Sequence, residues 1–238
     1  MSPVLDTIDH VYLRASNASI IYNELVNNAG LPIAWPFRSV ADDLSSGAVS
    51  LGNLILELVQ TNNTCAAMPF VPEYGVALTP HAATMAESRE RAATRGIEMG
   101  ADDSFYDPSG NLLWTRASLP QLSGAGLDTF FCDYTADQWP LRDGSRAQLA
   151  TSRGGALGIT GVEAMTVRSA HLRQTTEKWT LITTDREDKD MPTVHVVAGE
   201  DEGLHALTIR VRDVEAAERK FKELLPHFPD SLLQWQFI

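Results

Sequence analysis

Two short apolar segments, at residues 8–14 and 53–59, bound the stretch that most constrains the fold of this 238-residue chain. Each segment is mostly apolar and alternates between two kinds of side chain, which is typical of a β-strand. Successive side chains of a strand point to opposite faces of a sheet. We therefore predict that the two segments are the first and last strands of one unit, each with one face toward a core.

The other face of each segment carries a residue that can bind a metal. Glu57 lies opposite the leucines of its segment, and His10 lies opposite Val11 and Leu13. An imidazole and a carboxylate that converge on one concave sheet surface are two candidate ligands for a divalent metal. Spacing alone leaves an alternative open, in which His10 is a hydrogen-bonded structural residue and Glu57 faces water.

The residues between the two segments complete a strand–helix–strand–strand–strand unit. Asn17 is suited to cap a helix that ends near Asn28, and an extended piece begins at Pro32. A tight turn at Gly52 and Asn53 then leads into the strand that carries Glu57.

The pattern begins again after a polar linker at 61–73. In the second unit we predict a strand, an alanine-rich helix, a turn and two strands, at 74–78, 82–95, 107–110, 111–119 and 127–135. A polar connection follows, and then a third start. Its strands and helices are predicted at 161–168, 169–182, 193–198, 204–211 and 214–225. The third and fourth of these segments read as a hairpin, and the apolar tail 232–238 reads as an edge strand.

These segments predict an α+β fold. Two βαβββ modules, 7–60 and 74–135, pair within residues 1–136 and form a cupped mixed sheet with helices on the outside. Residues 137–160 connect them to a third, divergent α+β module at 161–238, which packs on the first two. Such a cup suits a small molecule, because binding sites favour concave, half-apolar spaces.

Composition argues against several classes of function. The net charge of −12 opposes binding to nucleic acid or to an anionic membrane. The first residues lack a signal-peptide pattern, and no run of about 18 apolar residues predicts a transmembrane helix. Cys65 and Cys132 do not make a disulfide framework, so a reducing cytoplasm is the expected location.

Four motifs carry a family resemblance by their order along the chain. They are IDHVYL at 8–13, LILELV at 54–59, DPSGNLLWTRASLP at 107–120 and TFFCDY at 129–134. With them the chain resembles the vicinal oxygen chelate superfamily, also called glyoxalase/bleomycin-resistance/extradiol-dioxygenase. More narrowly, it looks like the larger glyoxalase-like domain proteins. The resemblance covers most of residues 7–211.

The resemblance implies paired βαβββ modules and a divalent metal, Fe, Mn, Zn or Mg, with no nucleotide cofactor. By the same resemblance, His10 and Glu57 match ligand positions of the first unit. The second unit offers Tyr74, which is a poor ligand, and Asp133, so the implied metal set is His10, Glu57 and Asp133. A set of two histidines and one carboxylate would need another histidine, from His81, His171, His195 or His205.

Five further side chains are predicted to line the cup and bind the substrate: Tyr12, Arg14, Trp35, Trp114 and Arg116. Tryptophan and tyrosine supply flat contact area, and arginine binds a carboxylate or phenolate through two nitrogens. For each tryptophan, packing between sheet and helix is the alternative. Cys132 is expected to be a buried thiol.

Two functions from different classes remain open. The first is an enzyme in which His10 and Glu57 are catalytic and a metal acts on a small oxygenated, aromatic or carbonyl-containing molecule. Lyase, isomerase, dioxygenase and hydrolase chemistry all fit this description. The second is a metal-free protein that sequesters an aromatic or drug-like molecule. In both, the partner is a small molecule. The number of repeats favours a cup that is closed within one chain, and a homodimer is the alternative.

Overall fold

A computed structural model describes residues 3–41, 44–61, 73–82, 84–106, 109–135, 139–185, 188–200, 202–228 and 233–238 of the chain. Most of the linker predicted at 61–73 and the first half of the turn predicted at 107–110 lie outside these residues.

Two successive units share the order strand, helix, strand, strand, strand that the βαβββ fold class predicts, although the second unit has a strand at Asp102–Tyr106 that was not among its predicted segments. The elements of the first are β1 (Leu5–Arg14), α1 (Ala18–Asn23) with a π-helical turn (Glu24–Asn28), β2 (Ile33–Ala41), β3 (Leu44–Ser50) and β4 (Ile55–Thr61). Those of the second are β5 (Tyr74–Pro80), α2 (Met85–Thr94), β6 (Asp102–Tyr106), β7 (Leu112–Ser118) and β8 (Leu127–Tyr134). Helix α2 begins where the Thr84 side chain accepts a hydrogen bond from the Glu87 backbone.

The two units form one curled mixed sheet with the strand order β2-β3-β4-β1-β5-β8-β7-β6. In each unit the first and last strands are parallel neighbours, and β1 and β5 join the units as antiparallel neighbours. Four inner strands, β4-β1-β5-β8, therefore form the floor, and the hairpins β2-β3 and β6-β7 lie outside them. This confirms the predicted fold class.

The two faces of this sheet bury different side chains, as strand alternation predicts. Val11 and Leu13 of β1 and Leu56 and Leu58 of β4 pack in the main core together with Ile21 of α1. The opposite face, here called the concave face, carries a separate apolar cluster of Tyr12, Val59, Ala77, Phe130 and Cys132. Side chains of the concave face are thus available for a site, while the helix side holds the fold together.

The C-terminal part forms a second sheet with the order β10-β9-β11-β12. Its elements are β9 (Ile159–Ser169), α4 (Leu172–Thr183), β10 (Thr193–Ala198), β11 (Gly203–Val211), α5 (Val214–Leu224) and β12 (Gln234–Phe237). Before them, α3 (Trp139–Thr151) forms a helix within the segment predicted as a polar connection. The tail lies at the edge of the sheet beside β11, as predicted.

The second sheet repeats the inner half of the first. β10 is parallel to β9, β9 is antiparallel to β11, and β11 is parallel to β12. This is the arrangement of β4-β1-β5-β8 without the outer hairpins. The predicted hairpin of 193–198 with 204–211 is wrong, because β9 lies between these two strands.

Candidate active site on the concave face

His10 lies on the concave face of β1, and the residue before it fixes its ring. Its Nδ1 is 2.6 Å from Oδ2 of Asp9, and both side chains are buried. Neighbours in a regular strand point to opposite faces, but the pairing of β1 with β5 shifts register between Ile8 and His10. This irregularity lets the Asp9 carboxylate reach the imidazole beside it.

Glu57 approaches the other nitrogen of the same ring. β4 is the parallel neighbour of β1, and Oε2 of Glu57 lies 3.4 Å from Nε2 of His10. The Glu57 side chain is 16% exposed and that of His10 is 6% exposed, so the carboxylate is the more accessible partner. The structure thus brings together the two residues that strand alternation selects, and it places an imidazole between two carboxylates.

Burial lowers the pKa of His10 below its usual value of 6.5, although the Glu57 carboxylate acts in the opposite direction. The imidazole is therefore neutral at neutral pH. The contact of Nδ1 with Asp9, at 2.6 Å, is shorter than that of Nε2 with Glu57, at 3.4 Å, so we assign the ring proton to Nδ1 and the lone pair of Nε2 to the side of Glu57. Two electron-pair donors that face each other are favourable only with a proton, a hydrogen-bond donor or a cation between them. The pair is suited to take up one of these.

Tyr134 supports Asp9 from β8. Its hydroxyl donates a hydrogen bond to Asp9 Oδ2 over 3.3 Å, and burial raises the pKa of Tyr134 well above its usual value. The phenol therefore stays protonated and remains a donor. Two residues earlier, burial raises the pKa of the Cys132 thiol to about 12. Cys132 is accordingly a neutral thiol and not a nucleophile.

Aromatic rings surround the imidazole. Trp35 from β2 and Phe130 from β8 each meet the His10 ring edge to face, with centroids 5.7 Å and 6.0 Å away. Farther along the sheet, Trp114 stacks on Phe105 with 5.1 Å between centroids. Flat rings of this kind bury a large area with few rotatable bonds, which suits an aromatic ligand.

The two arginines predicted to line the cup differ in their partners. Arg116 donates to Oδ2 of Asp128 over 2.7 Å, and its guanidinium lies 4.5 Å from the centre of the Phe130 ring. Arg14 is half-buried at the end of β1, and no carboxylate of the described residues lies within ion-pair distance of it. Of the two guanidinium groups, that of Arg14 is therefore the one available to pair with an anionic ligand.

Asp133 lies apart from the His10–Glu57 pair. It follows Cys132 on β8 and so shares a face with Phe131, which packs in the main core on the helix side. Tyr74, the other second-unit position, also packs in that core. These placements correct the expectation from motif order, which put Asp133 in the cup. Nor does any group of three or more His, Cys, Asp or Glu side chains among the described residues have an arrangement that could hold a metal.

The other candidate histidines lie away from the concave face. His81 follows β5 and pairs with Asp6, and His171 precedes α4. His195 belongs to β10 and His205 to β11. The described residues therefore supply one histidine to this site.

Four contributors to the site were not predicted: Asp9, Asp128, Phe130 and Tyr134. The last three alternate along β8 on the side of Cys132, so strand parity from a known cup residue is the signal that finds them. Asp9 carries no such signal, because a regular β1 would turn it away from His10. Its position depends on the irregular pairing with β5.

No protein-family model matches the sequence, and no curated protein matches it. Solved structures do match. A mutant 4-hydroxymandelate synthase from Streptomyces coelicolor is 14% identical with a TM-score of 0.56, and the match covers 94% of this chain and 76% of that chain. A mutant homoprotocatechuate 2,3-dioxygenase from Brevibacterium fuscum is 11% identical with a TM-score of 0.53, covering 97% and 64%. A hypothetical protein from Staphylococcus aureus is 10% identical with a TM-score of 0.57, covering 86% and 90%.

These similarities show a shared fold. The described residues contain no helix that is both long enough and apolar enough to cross a membrane.

Proposed function

We propose that this chain, which shares its fold with the synthase and dioxygenase structures above, is an enzyme of the vicinal oxygen chelate type that acts on a small, oxygenated aromatic molecule bound at the concave face. The observation that carries the proposal is the line of Asp9, His10 and Glu57, in which Asp9 and His10 are buried and Glu57 is partly exposed. A neutral imidazole with one nitrogen fixed by a carboxylate and the other facing a second carboxylate is costly to bury. Such an arrangement is typical of a site that handles a proton or a cation.

The aromatic lining supports an aromatic ligand. Trp35 and Phe130 flank the imidazole, and Trp114 extends the aromatic surface toward β6. Arg14 supplies a positive charge for a carboxylate or phenolate of the ligand, because Arg116 is already paired with Asp128. We infer that the ring of the ligand lies among the aromatic side chains with its oxygens toward His10.

The chemistry that the side chains themselves support is proton transfer. Nε2 of His10 accepts a proton from the ligand, and the imidazolium that forms is stabilised by Asp9 on one side and Glu57 on the other. Tyr134 holds Asp9 and thereby the orientation of the ring. Burial keeps His10 neutral beforehand, which is the form that a general base requires.

Metal binding is the alternative to this proton transfer, because both use the same lone pair of Nε2. A divalent metal of the kind that the family resemblance implies finds two suitable ligands in this site. His10 Nε2 and Glu57 Oε2 are 3.4 Å apart, which suits two ligands that each lie roughly 2.1 Å from one ion. Asp9 on the far nitrogen is the usual outer partner of a metal-binding histidine. His10 and Glu57 would hold the ion, with ligand oxygens or water at its other positions. When bound, such an ion polarises the oxygens that it contacts.

A metal-free binding protein is the second candidate, and the donor set favours it. The second unit faces the cup with Ala77, Phe130 and the neutral thiol of Cys132, which supply no ligand of the usual kind. The carboxylate of Asp128 on the same side of β8 is paired with Arg116. The described residues accordingly offer a pair of ligands and not a trio. An aromatic cup with an incomplete metal set is suited to holding a drug-like molecule without changing it.

Metal analysis of the purified chain, before and after incubation with Fe²⁺, Mn²⁺, Zn²⁺ or Mg²⁺, tests the proposal. It is paired with a tryptophan-fluorescence screen of hydroxylated aromatic acids and with a search for product. We expect His10→Ala and Glu57→Gln each to lower metal affinity and turnover by at least about 100-fold, because losing even an outer partner of a metal ligand costs about 10- to 100-fold. Asp133→Asn is the matched control, because its carboxylate lies on the other side of the sheet.

The outcomes separate the two candidates. Quenching by an aromatic ligand with no metal bound and no product favours the binding protein. If His10→Ala leaves both ligand affinity and turnover unchanged, the Asp9–His10–Glu57 line has no part in function and both enzymatic readings fail. Equal losses in Asp133→Asn and His10→Ala would point to a general loss of structure.

A further inference from the structure

A second space lies between the two sheets, away from the concave face. Its volume is about 160 Å³. Its walls come from the 3₁₀ turn Pro120–Leu122 and the start of β8 on one side, and from the end of β9 and the first turn of α4 on the other. Leu122, Leu127 and Val167 form its apolar wall. None of the side chains around His10 lines it, so this cavity is separate from the site already described.

Arg168 brings a positive charge to the cavity, and no acidic side chain of the described residues pairs with it. Its Nε is buried and makes no hydrogen bond. No carboxylate of the described residues lies within ion-pair distance of its guanidinium, and the side chain runs past Gly203, where an added Cβ would meet Nη2 at 3.8 Å. A buried guanidinium donor with no acceptor is unfavourable, and an anionic oxygen in the cavity would remove that cost.

Glu202 brings a negative charge to the same cavity. It directly precedes β11 and packs against the loop before β8, where a Cβ added at Gly124 would lie 2.5 Å from its Cγ. This contact holds the side chain in place. Glu202 forms no ion pair with Arg168 or with any other cation of the described residues. Among the described residues that line it, the cavity therefore holds one cationic and one acidic side chain, and the two do not form an ion pair with each other.

We propose that this cavity binds a small zwitterion of the α-amino-acid class. Its carboxylate would contact Arg168 and its ammonium would contact Glu202. A simple anion would leave Glu202 uncompensated and a simple cation would leave Arg168 uncompensated, so a molecule that carries both charges is selected over either. The apolar wall and the small volume favour a short aliphatic side chain.

Calorimetric titration of the full chain with L-valine tests the proposal. Isovalerate lacks the ammonium group and isobutylamine lacks the carboxylate, so they are the matched probes. We expect saturable binding of L-valine on the order of tenfold tighter than of either probe. Arg168→Gln abolishes binding of L-valine. Glu202→Gln weakens the binding of L-valine but not that of isovalerate. Arg173→Gln removes a nearby arginine of α4 whose side chain is 94% exposed, and it leaves binding unchanged.

Stability measurements keep the test independent of folding. Because the Arg168 side chain makes no hydrogen bond to any of the described residues, Arg168→Gln should unfold at the same temperature as the wild type when no ligand is present. Arg168→Lys keeps the charge but loses the planar fork, so its affinity should lie between those of the wild type and Arg168→Gln. His10→Ala should bind L-valine normally, which separates this proposal from that for the concave face.

Three results would overturn the zwitterion site. The first is no saturable binding of L-valine at concentrations up to about 10 mM. The second is isovalerate binding as tight as that of L-valine. The third is the same loss in Arg173→Gln as in Arg168→Gln.

Discussion

At the scale of single residues, the protonation of His10 links the site to the stability of the fold. Burial lowers the pKa of this imidazole from its usual 6.5. Between the lowered pKa and 6.5, the unfolded chain binds a proton that the folded chain does not. The free energy of unfolding therefore rises with pH through this window, and the contribution is lost on acidification below 6.5.

Urea unfolding near neutral pH and near pH 5 measures this contribution. We expect the wild type to lose more stability on acidification than His10→Gln does, because the variant has no buried imidazole to protonate. Removing the exposed His195 of β10 in the same way should leave the wild-type loss intact. Equal losses in the wild type and His10→Gln would show that His10 does not couple folding to pH.

The alternation of side chains along a strand explains which residues of the site can be predicted from the sequence. Alternation along β4 and β1 places Glu57 and His10 on one face, and the structure agrees. The same rule applied to β8 would have excluded Asp133, since Cys132 beside it faces the cup. Asp9 lies beyond this reasoning, because its contact with His10 depends on a register shift that only the pairing with β5 creates.

At the scale of elements, the seam between β1 and β5 depends on a residue without a side chain. Tyr12 pairs with Gly75 across this seam, and the Tyr12 ring occupies the space that a β-carbon at position 75 would fill. A Cβ added to Gly75 would lie 1.8 Å from Cε1 of Tyr12. Gly75 thus lets an aromatic ring of the concave face lie over the strand that joins the two units.

We expect Gly75→Ala to lower the free energy of unfolding by about 1–3 kcal/mol, because the Tyr12 ring must move. In a Tyr12→Ala background the same change should cost much less, and a double-mutant cycle by urea unfolding measures the difference. Gly144→Ala in α3 is the control, because an added Cβ there meets nothing within 4 Å. An undiminished effect of Gly75→Ala without the tyrosine would contradict this account.

Elements that bury little or pair over long distances were the hardest to predict. β6 was missed because its residues are mostly exposed and lack an apolar alternation. α3 was missed because its sequence, with Gly144 and two arginines, resembles a polar connection. The choice of β9 as the partner of both β10 and β11 is a long-range one, and local turn signals between β10 and β11 do not reveal it.

At the scale of the whole molecule, one amide side chain joins the two sheets. Asn53, in the turn before β4, donates to the Val162 carbonyl over 2.8 Å and accepts from the Val162 amide over 2.7 Å. Arg95, after α2, donates to carbonyls of Leu181 and Thr184 at the end of α4. Both sheets share one apolar core, and these directional hydrogen bonds fix the position of one sheet against the other.

Asn53→Ala should lower the free energy of unfolding by about 1–3 kcal/mol, because both polar groups of Val162 lose their partner. Hydrogen exchange should accelerate at Val162 more than in β1. Asn53→Asp keeps an acceptor for the amide and should fall between the wild type and Asn53→Ala. The exposed Asn27→Ala serves as control. Unchanged exchange at Val162 in Asn53→Ala would rule out this link between the sheets.

Within the described part of the chain, the second sheet carries the inner strands of the paired-module arrangement but no counterpart of the hairpins β2-β3 and β6-β7. Trp35 and Trp114, which border the floor around His10, both come from those hairpins. The second sheet, without such flanking hairpins, does not enclose an aromatic ligand. The stoichiometry of aromatic ligand at saturation should accordingly be one molecule per chain, even though the backbone plan occurs twice.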